Sequence, residues 1–314
     1  MQSILRYLSL RQLTVFLEAT RQMSFARAAE SLHLTQPAIS MQIRQLEDVV
    51  GLPLFERIGK KLSLTQAGEL LRHHAARAFG ELQDAQQALD ALKGLRSGRA
   101  TVGIVSTAKY FAPKLFARFT RRHPQVDIRF LAGNREMLIN ALRDNEIDFA
   151  VMGRPPDRLE VQAEAIAENP HVLVAHKGHP LAKARRFDFQ ELRDDTFLMR
   201  EPGSGTRLVM ETMFQQHLFT PKRTVLLGSN ETVKQAVMAG LGISLLSLHS
   251  LELELRSREI SLLDVIGTPV LRNWHIVHLN AKKLPPAAAA FHAFLCTETR
   301  RHLDKTFERY RQQL

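Results

Sequence analysis

The stretch from Ser24 to Glu47, SFARAAESLHLTQPAISMQIRQLE, decides how the chain begins to fold. Phe25, Ala28, Ala29 and Leu32 recur at i, i+3, i+4 and i+7, which is one face of a short helix, and Ser24 is suited to cap its start. His33 and Leu34 break the pattern. Thr35 then caps a further helix whose first turn tolerates Pro37. Its buried stripe is Ile39, Ile43 and Leu46, and Gly51 and Pro53 stop it. The opposite face carries Gln36, Ser40 and Arg44 at i, i+4 and i+8, flanked by Pro37 and Met41, with no carboxylate. Two helices joined by a tight turn, the second presenting Gln, Ser and Arg, are what a helix-turn-helix needs to enter the major groove of double-stranded DNA. Gln can pair bidentately with adenine and Arg with guanine.

The flanks extend this module. Upstream, Leu10, Leu13, Phe16 and Leu17 repeat at helical spacing. Downstream, Leu54 to Arg57, a turn at Ile58-Gly59, and Lys60 to Leu64 form a small hairpin with Arg57, Lys60 and Lys61 on it. With Thr35, these basic residues would hold phosphates, which positions a DNA-binding module without reading sequence. An ordinary three-helix bundle with a solvated polar face would show the same periodicity. The cap, the acid-free face and the basic wing occurring in order favour DNA binding.

From Thr65 as N-cap to about Leu95 the pattern is one long helix, ended by Gly94 and Ser97-Gly98. Leu71, Ala75, Ala78, Leu82, Ala85, Leu89 and Leu92 alternate spacings of 4 and 3, a 3.5-residue repeat that implies a partner helix. A helix buried within one chain is the alternative; a homodimer, which gives the DNA-binding module two copies, fits the repeat better.

The remainder alternates strands and helices. Strand-like runs fall at 101–105, 126–131, 149–152, 171–175, 196–199, 224–227, 243–246 and 274–278, and helical patterns at 115–122, 136–144, 208–217 and 232–239. This is an α/β unit with mainly parallel strands, long enough for two lobes with a ligand at the strand ends. Polar or basic loops follow several strands, and helix starts with free amides and nearby Arg make anion sites. We expect an anionic metabolite held by Ser106, Thr107, Ser204 and Thr206, with Arg154, Arg200 or Arg207 as counter-charges. Lys109, Asn134, Gly203 and Asn230 lie in the same loops. Each Arg could equally be paired with a neighbouring acid, and the hydroxyls could simply cap helices.

Composition sets the outer limits. The 314 residues exceed one typical domain, and 45% hydrophobic with 24% charged residues is an ordinary globular balance. The net charge of +11 points to an anionic partner. Residues 1–64 hold 8 basic and 5 acidic side chains, 65–97 hold 4 and 4, and 98–314 hold 31 and 23, so most of the excess lies outside the DNA-binding module. Cys296 is the only cysteine, which excludes an intramolecular disulfide and a cysteine-based zinc cluster. Neither a secretory signal nor an apolar run of roughly 18 residues is present, so a cytoplasmic protein with no membrane partner is expected. The histidines, His73-His74 and the His275/His278 pair included, show no metal-ligand neighbourhood with acids or Cys, and no metal or other cofactor is expected. Gly203-Ser204-Gly205 is followed by Leu208 where a dinucleotide fingerprint needs a third glycine. No nucleophile elbow, P-loop or zinc-protease motif occurs, and an enzyme is not expected. Residues 299–314, with Arg300, Arg301, Lys305, Arg309 and Arg311, read as an extra basic helix.

Over essentially its whole length the chain resembles the LysR-type transcriptional regulators. The carrying residues are Phe25-Ala26-Arg27-Ala28-Ala29-Glu30, Leu34-Thr35-Gln36-Pro37-Ala38-Ile39-Ser40 and Ile43-Arg44-Gln45-Leu46-Glu47, continued by Gly51-Leu52-Pro53-Leu54-Phe55-Glu56-Arg57 and Leu64-Thr65-Gln66-Ala67-Gly68. The segments 106–114, 199–207 and 228–237, and Met41 after Ser40, are similar to the branch that regulates Calvin-cycle (RuBisCO operon) genes. The resemblance implies a winged helix-turn-helix over 1–64, a linker and dimerisation helix over 65–97, and a two-lobed α/β effector domain over 98–314 akin to type 2 periplasmic binding proteins. Lobe I would take about 98–168 and 269–314, and lobe II about 169–268. It also implies a homotetramer built as a dimer of dimers, contact with RNA polymerase, activation of a divergently transcribed operon, and effectors such as ribulose bisphosphate, phosphoenolpyruvate or NADPH. Control of another metabolic operon, or a cytoplasmic small-molecule binding protein, are the alternatives.

Overall fold

Ser9, Ser24 and Thr35 each accept a hydrogen bond from the amide three residues on, at 3.2, 3.4 and 3.4 Å. They open α1 (Leu10–Gln22), α2 (Phe25–Leu32) and α3 (Gln36–Val50). The computed structural model describes residues 7–59, 61–92 and 98–311. These fall into two units, 1–85 with 143–146, and 86–142 with 147–314. In the first unit, His33 takes the left-handed conformation that breaks α2 from α3, and Gly51 does so after α3. Phe16, Ala19, Ala28, Ile39, Ile43, Leu46 and Leu54 form its core.

The wing is β1 (Phe55–Ile58) against β2 (Lys61–Leu64), antiparallel with Phe55 opposite Leu64 and Ile58 opposite Lys61. Two links fix it to the helices. One Glu47 carboxylate oxygen accepts from the amides of Leu54 and Phe55 at 2.8 and 3.3 Å. Phe55 packs edge-on against Phe16 and Phe25, with ring centroids 5.7 and 5.2 Å apart. The long helix α4 (Gln66–Leu92) starts where the Thr65 hydroxyl accepts from Gly68 N at 3.0 Å and donates to Pro53 O at 2.7 Å. The expected helix end at Gly94, Leu95 and Ser97 lies outside the described residues.

The second unit holds a seven-stranded sheet. Its strands are β3 (Gly98–Val105), β4 (Val126–Gly133), β5 (Phe149–Met152), β6 (Val161–His176), β9 (Ser244–Ser247), β10 (Ile260–Leu263) and β11 (Val270–Leu279). Between β6 and β9 lie β7 (Thr196–Arg200) and β8 (Arg223–Leu227), a separate parallel pair. The helices are α5 (Ala112–Arg122), α6 (Arg135–Arg143), α7 (Gly205–Gln216), α8 (Asn230–Met238), α9 (Glu252–Ser257) and α10 (Pro286–Arg311).

The sheet is mixed, not mainly parallel. β3 runs parallel to β4 and β5, but β11 inserts antiparallel between β5 and β6, and β9 and β10 run antiparallel to β6. The pairing of β11 with strands more than 90 residues earlier leaves no local trace. β6 begins ten residues before the run at 171–175, because Pro170, ordinarily a strand breaker, is tolerated one position before pairing with β9 starts at His171. Likewise α10 starts at Pro286, not at Thr299. Proline suits the first helical turn, and Ala288, Phe291 and Leu295 bury its inner face.

One core lies along the β3–β5–β11 sheet, with Phe119, Phe149, Trp274 and Phe291 fully covered. A second, in the other lobe, is built on Phe189, Phe197, Phe214 and Phe219. Among the described residues no helix is long and apolar enough to cross a membrane.

Gly68 sits where a Cβ would lie 2.1 Å from Leu54 O, a backbone atom. Gly68→Ala must therefore push α4 away from the wing, and should cost about 1–3 kcal/mol of stability, read as a lowered Tm and weaker DNA binding. An unchanged Tm would contradict this contact.

Candidate DNA-recognition face and effector pocket

Ile39, Ile43 and Leu46 bury one side of α3, which turns Gln36, Pro37, Met41 and Arg44 outward and leaves Ser40 half-buried. Met41 keeps 52% of its surface exposed. Thr35 is exposed; its oxygen caps α3, while its O–H can still donate. Arg57 and Lys61 are exposed on the wing, and Lys60 lies outside the described residues. Glu47, on the same helix, points its carboxylate at the wing amides, and the first acid along the outward face is Asp48, exposed one turn beyond Arg44. Such a surface suits an anionic groove, with the polar side chains of one helix as its reading edge.

Along α4 the apolar repeat divides. Leu71 packs on the core of its own unit and Ala75 is buried, whereas Ala78, Leu82 (50%), Ala85 and Leu89 (54%) are exposed. Leu92 closes the helix, its side chain outside the described residues.

In the second unit a pocket opens at the ends of β3, β4, β5 and β7 and at the start of α7. Of the expected residues, Ser106, Thr107, Asn134, Arg154, Arg200, Ser204 and Thr206 line it. Lys109, Gly203, Arg207 and Asn230 do not. Lys109 lies over the Tyr110 ring, and Arg207 pairs with Glu211 at 2.7 Å. Gly203, at φ +81°, forms the turn before α7. Asn230 is buried behind the wall, where its amide donates to the Thr107 hydroxyl at 3.0 Å and its carbonyl accepts from Arg200.

The expected counter-charges are already engaged. Arg200 holds Glu201 through two nitrogens at 2.7 and 2.8 Å, and Arg154 holds Asp157 at 3.0 Å. The positive potential comes instead from residues that loop chemistry did not indicate. Arg272, on β11, lines the pocket with no acidic partner among the described residues. Arg135, at the start of α6, donates to the carbonyls of Arg154 and Pro155 at 3.2 and 2.8 Å, which leaves its charge uncompensated by those bonds. Asn169, His171 and Trp274 complete the wall. Ser204 stands at the start of α7 without capping it, so its buried hydroxyl and the adjoining amides at the pocket are available to an anion. His171 is fully buried. Burial, helped by Arg272, lowers its pKa to about 4, so it is a neutral imidazole near pH 7. Guanidiniums without a salt-bridged acid, the Ser204 hydroxyl and a helix N-terminus together suit a small anion.

Contrary to the expectation from sequence, one histidine has a metal-ligand neighbourhood that includes an acid and Cys. His292 and Cys296, one turn apart on α10, stand together with Glu164 of β6. The spacing was legible once α10 is seen to start at Pro286; the contribution of β6 was not.

Residues 93–300 match the LysR substrate binding domain, and residues 10–69 match the bacterial regulatory helix-turn-helix protein, lysR family. The chain belongs to the LysR family of bacterial transcription regulators, and is a regulator rather than an enzyme. Among its relatives, the HTH-type transcriptional regulator CfxR of Cupriavidus necator is 57% identical over 98% of this chain and 97% of its own length. The RuBisCO operon transcriptional regulator of Allochromatium vinosum is 47% identical over 94% of this chain and 98% of its own. The regulatory domain of CcmR from Synechocystis PCC6803, solved in complex with 2-PG, is 35% identical, with a TM-score of 0.63, over 65% of this chain and 98% of that one.

The buried His171 makes stability depend on pH. Its folded pKa of about 4 lies below the ordinary 6.5, so the unfolded chain takes the proton first, and stability present above pH 6.5 is lost as pH falls toward 4. His171→Asn should remove about 1 kcal/mol of the loss between pH 7.5 and 5.5, measured by urea midpoints. Equal acid sensitivity of the two proteins would refute a neutral buried imidazole.

Proposed function

We propose that the protein is a sequence-specific DNA-binding regulator, chiefly an activator, of a RuBisCO (Calvin-cycle) operon, working in the cytoplasm. Full-length similarity to a RuBisCO operon transcriptional regulator carries this reading. On the DNA side, Gln36, Ser40, Met41 and Arg44 read base edges, while Thr35, Arg57, Lys60 and Lys61 hold phosphates. The exposed Ala78, Leu82, Ala85 and Leu89 support pairing of α4 with the same helix of a second copy, which brings two reading heads to two half-sites. Two such dimers form the homotetramer, and RNA polymerase is the further partner at the promoter.

The effector is an anionic metabolite, with ribulose bisphosphate, phosphoenolpyruvate and NADPH as the compounds to test. Arg272 and Arg135 supply its counter-charges, and Ser106, Thr107, Ser204 and Thr206 supply hydroxyls.

Two measurements test the halves separately. Arg44→Ala should lose about 1–3 kcal/mol at the specific operator and little on random DNA, whereas Lys61→Ala should weaken both and flatten the salt dependence. Equal losses from both variants on both DNAs, measured by anisotropy, would refute this division. Footprinting the promoter upstream of the protein's own gene with each metabolite should show a changed footprint length with at least one of them. Arg272→Ala should abolish that change while leaving the ligand-free footprint intact; a response that survives the substitution would remove Arg272 from the site.

A further inference from the structure

On lobe I, remote in sequence from the loops that line the pocket, three unlike donors converge. Glu164 projects from β6, where its residue pairs with Ile276 of β11. His292 and Cys296 come from successive turns of α10. One ligand atom from each lies within 4.8 Å of the other two. Cys296 Sγ is 3.5 Å from His292 Nδ1. Sulfur and nitrogen ligands at about 2.3 and 2.0 Å from one tetrahedral ion stand roughly 3.5 Å apart, so this pair already has the spacing of two ligands to a shared zinc.

The half-buried His292 ring packs edge-on against Phe149, with ring centroids 5.7 Å apart. A second imidazole, His278 of β11, has its ring centroid 5.9 Å from that of His292. The His278 Nδ1 lies 3.0 Å from Leu279 O, a group that can only accept. That bond fixes Nδ1 as the protonated nitrogen and leaves Nε2 with a lone pair, the arrangement that prepares a histidine for a metal.

We propose that Glu164, His292 and Cys296 form a site for a zinc-class divalent ion, with His278 or water as the fourth ligand, which staples α10 to the central strand β6. Sulfur, nitrogen and oxygen together select zinc over magnesium or calcium, which require all-oxygen shells. Binding replaces the thiol proton with the ion, and one proton is released to solvent. An oxidation-sensing role suits this cysteine poorly. Burial, together with Glu164, pushes the thiol up to about 12, so without an ion it is a poor nucleophile.

Cobalt provides the test, because thiolate-to-cobalt charge transfer absorbs in the near ultraviolet and Cys296 is the only cysteine in the chain. The full-length protein, stripped with chelator, should develop this band on titration with Co2+ and saturate at one equivalent. Cys296→Ser should abolish it. Glu164→Gln, at an exposed strand position, and His292→Ala should weaken the apparent affinity about tenfold or more. Zn2+ should raise the Tm of the parent protein and leave that of Cys296→Ser unmoved. Absence of the band in the parent protein would overturn the site, as would unchanged cobalt affinity in both His292→Ala and Glu164→Gln.

Discussion

The antiparallel ladder between β6 and β11 is the constraint on which the effector domain depends. It runs from Val161 opposite Leu279 to His171 opposite Val270, and β6 then continues to His176 as the strand on which β9 and β10 assemble. One continuous strand therefore belongs to both lobes. The pocket wall lies at the end of this ladder: Asn169 is the cross-strand neighbour of Arg272, and His171 and Trp274 lie close by. A register shift between Trp274 and His275 changes the pairing immediately beyond. Such irregularities re-aim side chains, and they recur beside functional sites.

What could be read from the sequence follows the range of the interactions involved. The DNA-binding module was legible almost completely, because caps at Ser24 and Thr35, the stripe Ile39-Ile43-Leu46 and the stop at Gly51 act within a few residues. The pocket was legible where it is made of loops: Ser106, Thr107, Asn134, Ser204 and Thr206 follow strands or open helices. Asn169, His171, Arg272 and Trp274 sit inside strands, where a polar side chain looks like an ordinary alternating position until the distant partner strand is known. The mixed sheet escaped detection for the same reason. Arg154, Arg200 and Arg207 had the right chemistry for an anion, but acids three, one and four residues onward had already claimed them.

The charge excess is likewise resolved by pairing. Much of the effector domain's basic content is neutralised in place. Arg99 holds Asp127, Lys177 holds Glu259, and the buried Lys234 holds Glu254 at 2.6 Å and Glu231 at 3.0 Å. On α5, Arg118 is bound to Glu298 of α10. Net charge therefore locates nothing by itself. More informative is position: Arg135 and Arg272, for which no salt bridge to an acid is formed among the described residues, flank one cavity, with Asp157 acting on Arg135 only at longer range.

The buried relay from Arg200 through Asn230 to Thr107 has an energetic consequence for signalling. Several polar groups at the pocket wall already have partners before a ligand arrives. A ligand that claims the Thr107 hydroxyl or the Arg200 guanidinium exchanges one hydrogen bond for another, and the net gain from such an exchange is only about 1 kcal/mol. Affinity is therefore held below what the number of contacts would imply. Hydrogen bonds at this wall set the orientation of a ligand more than its affinity.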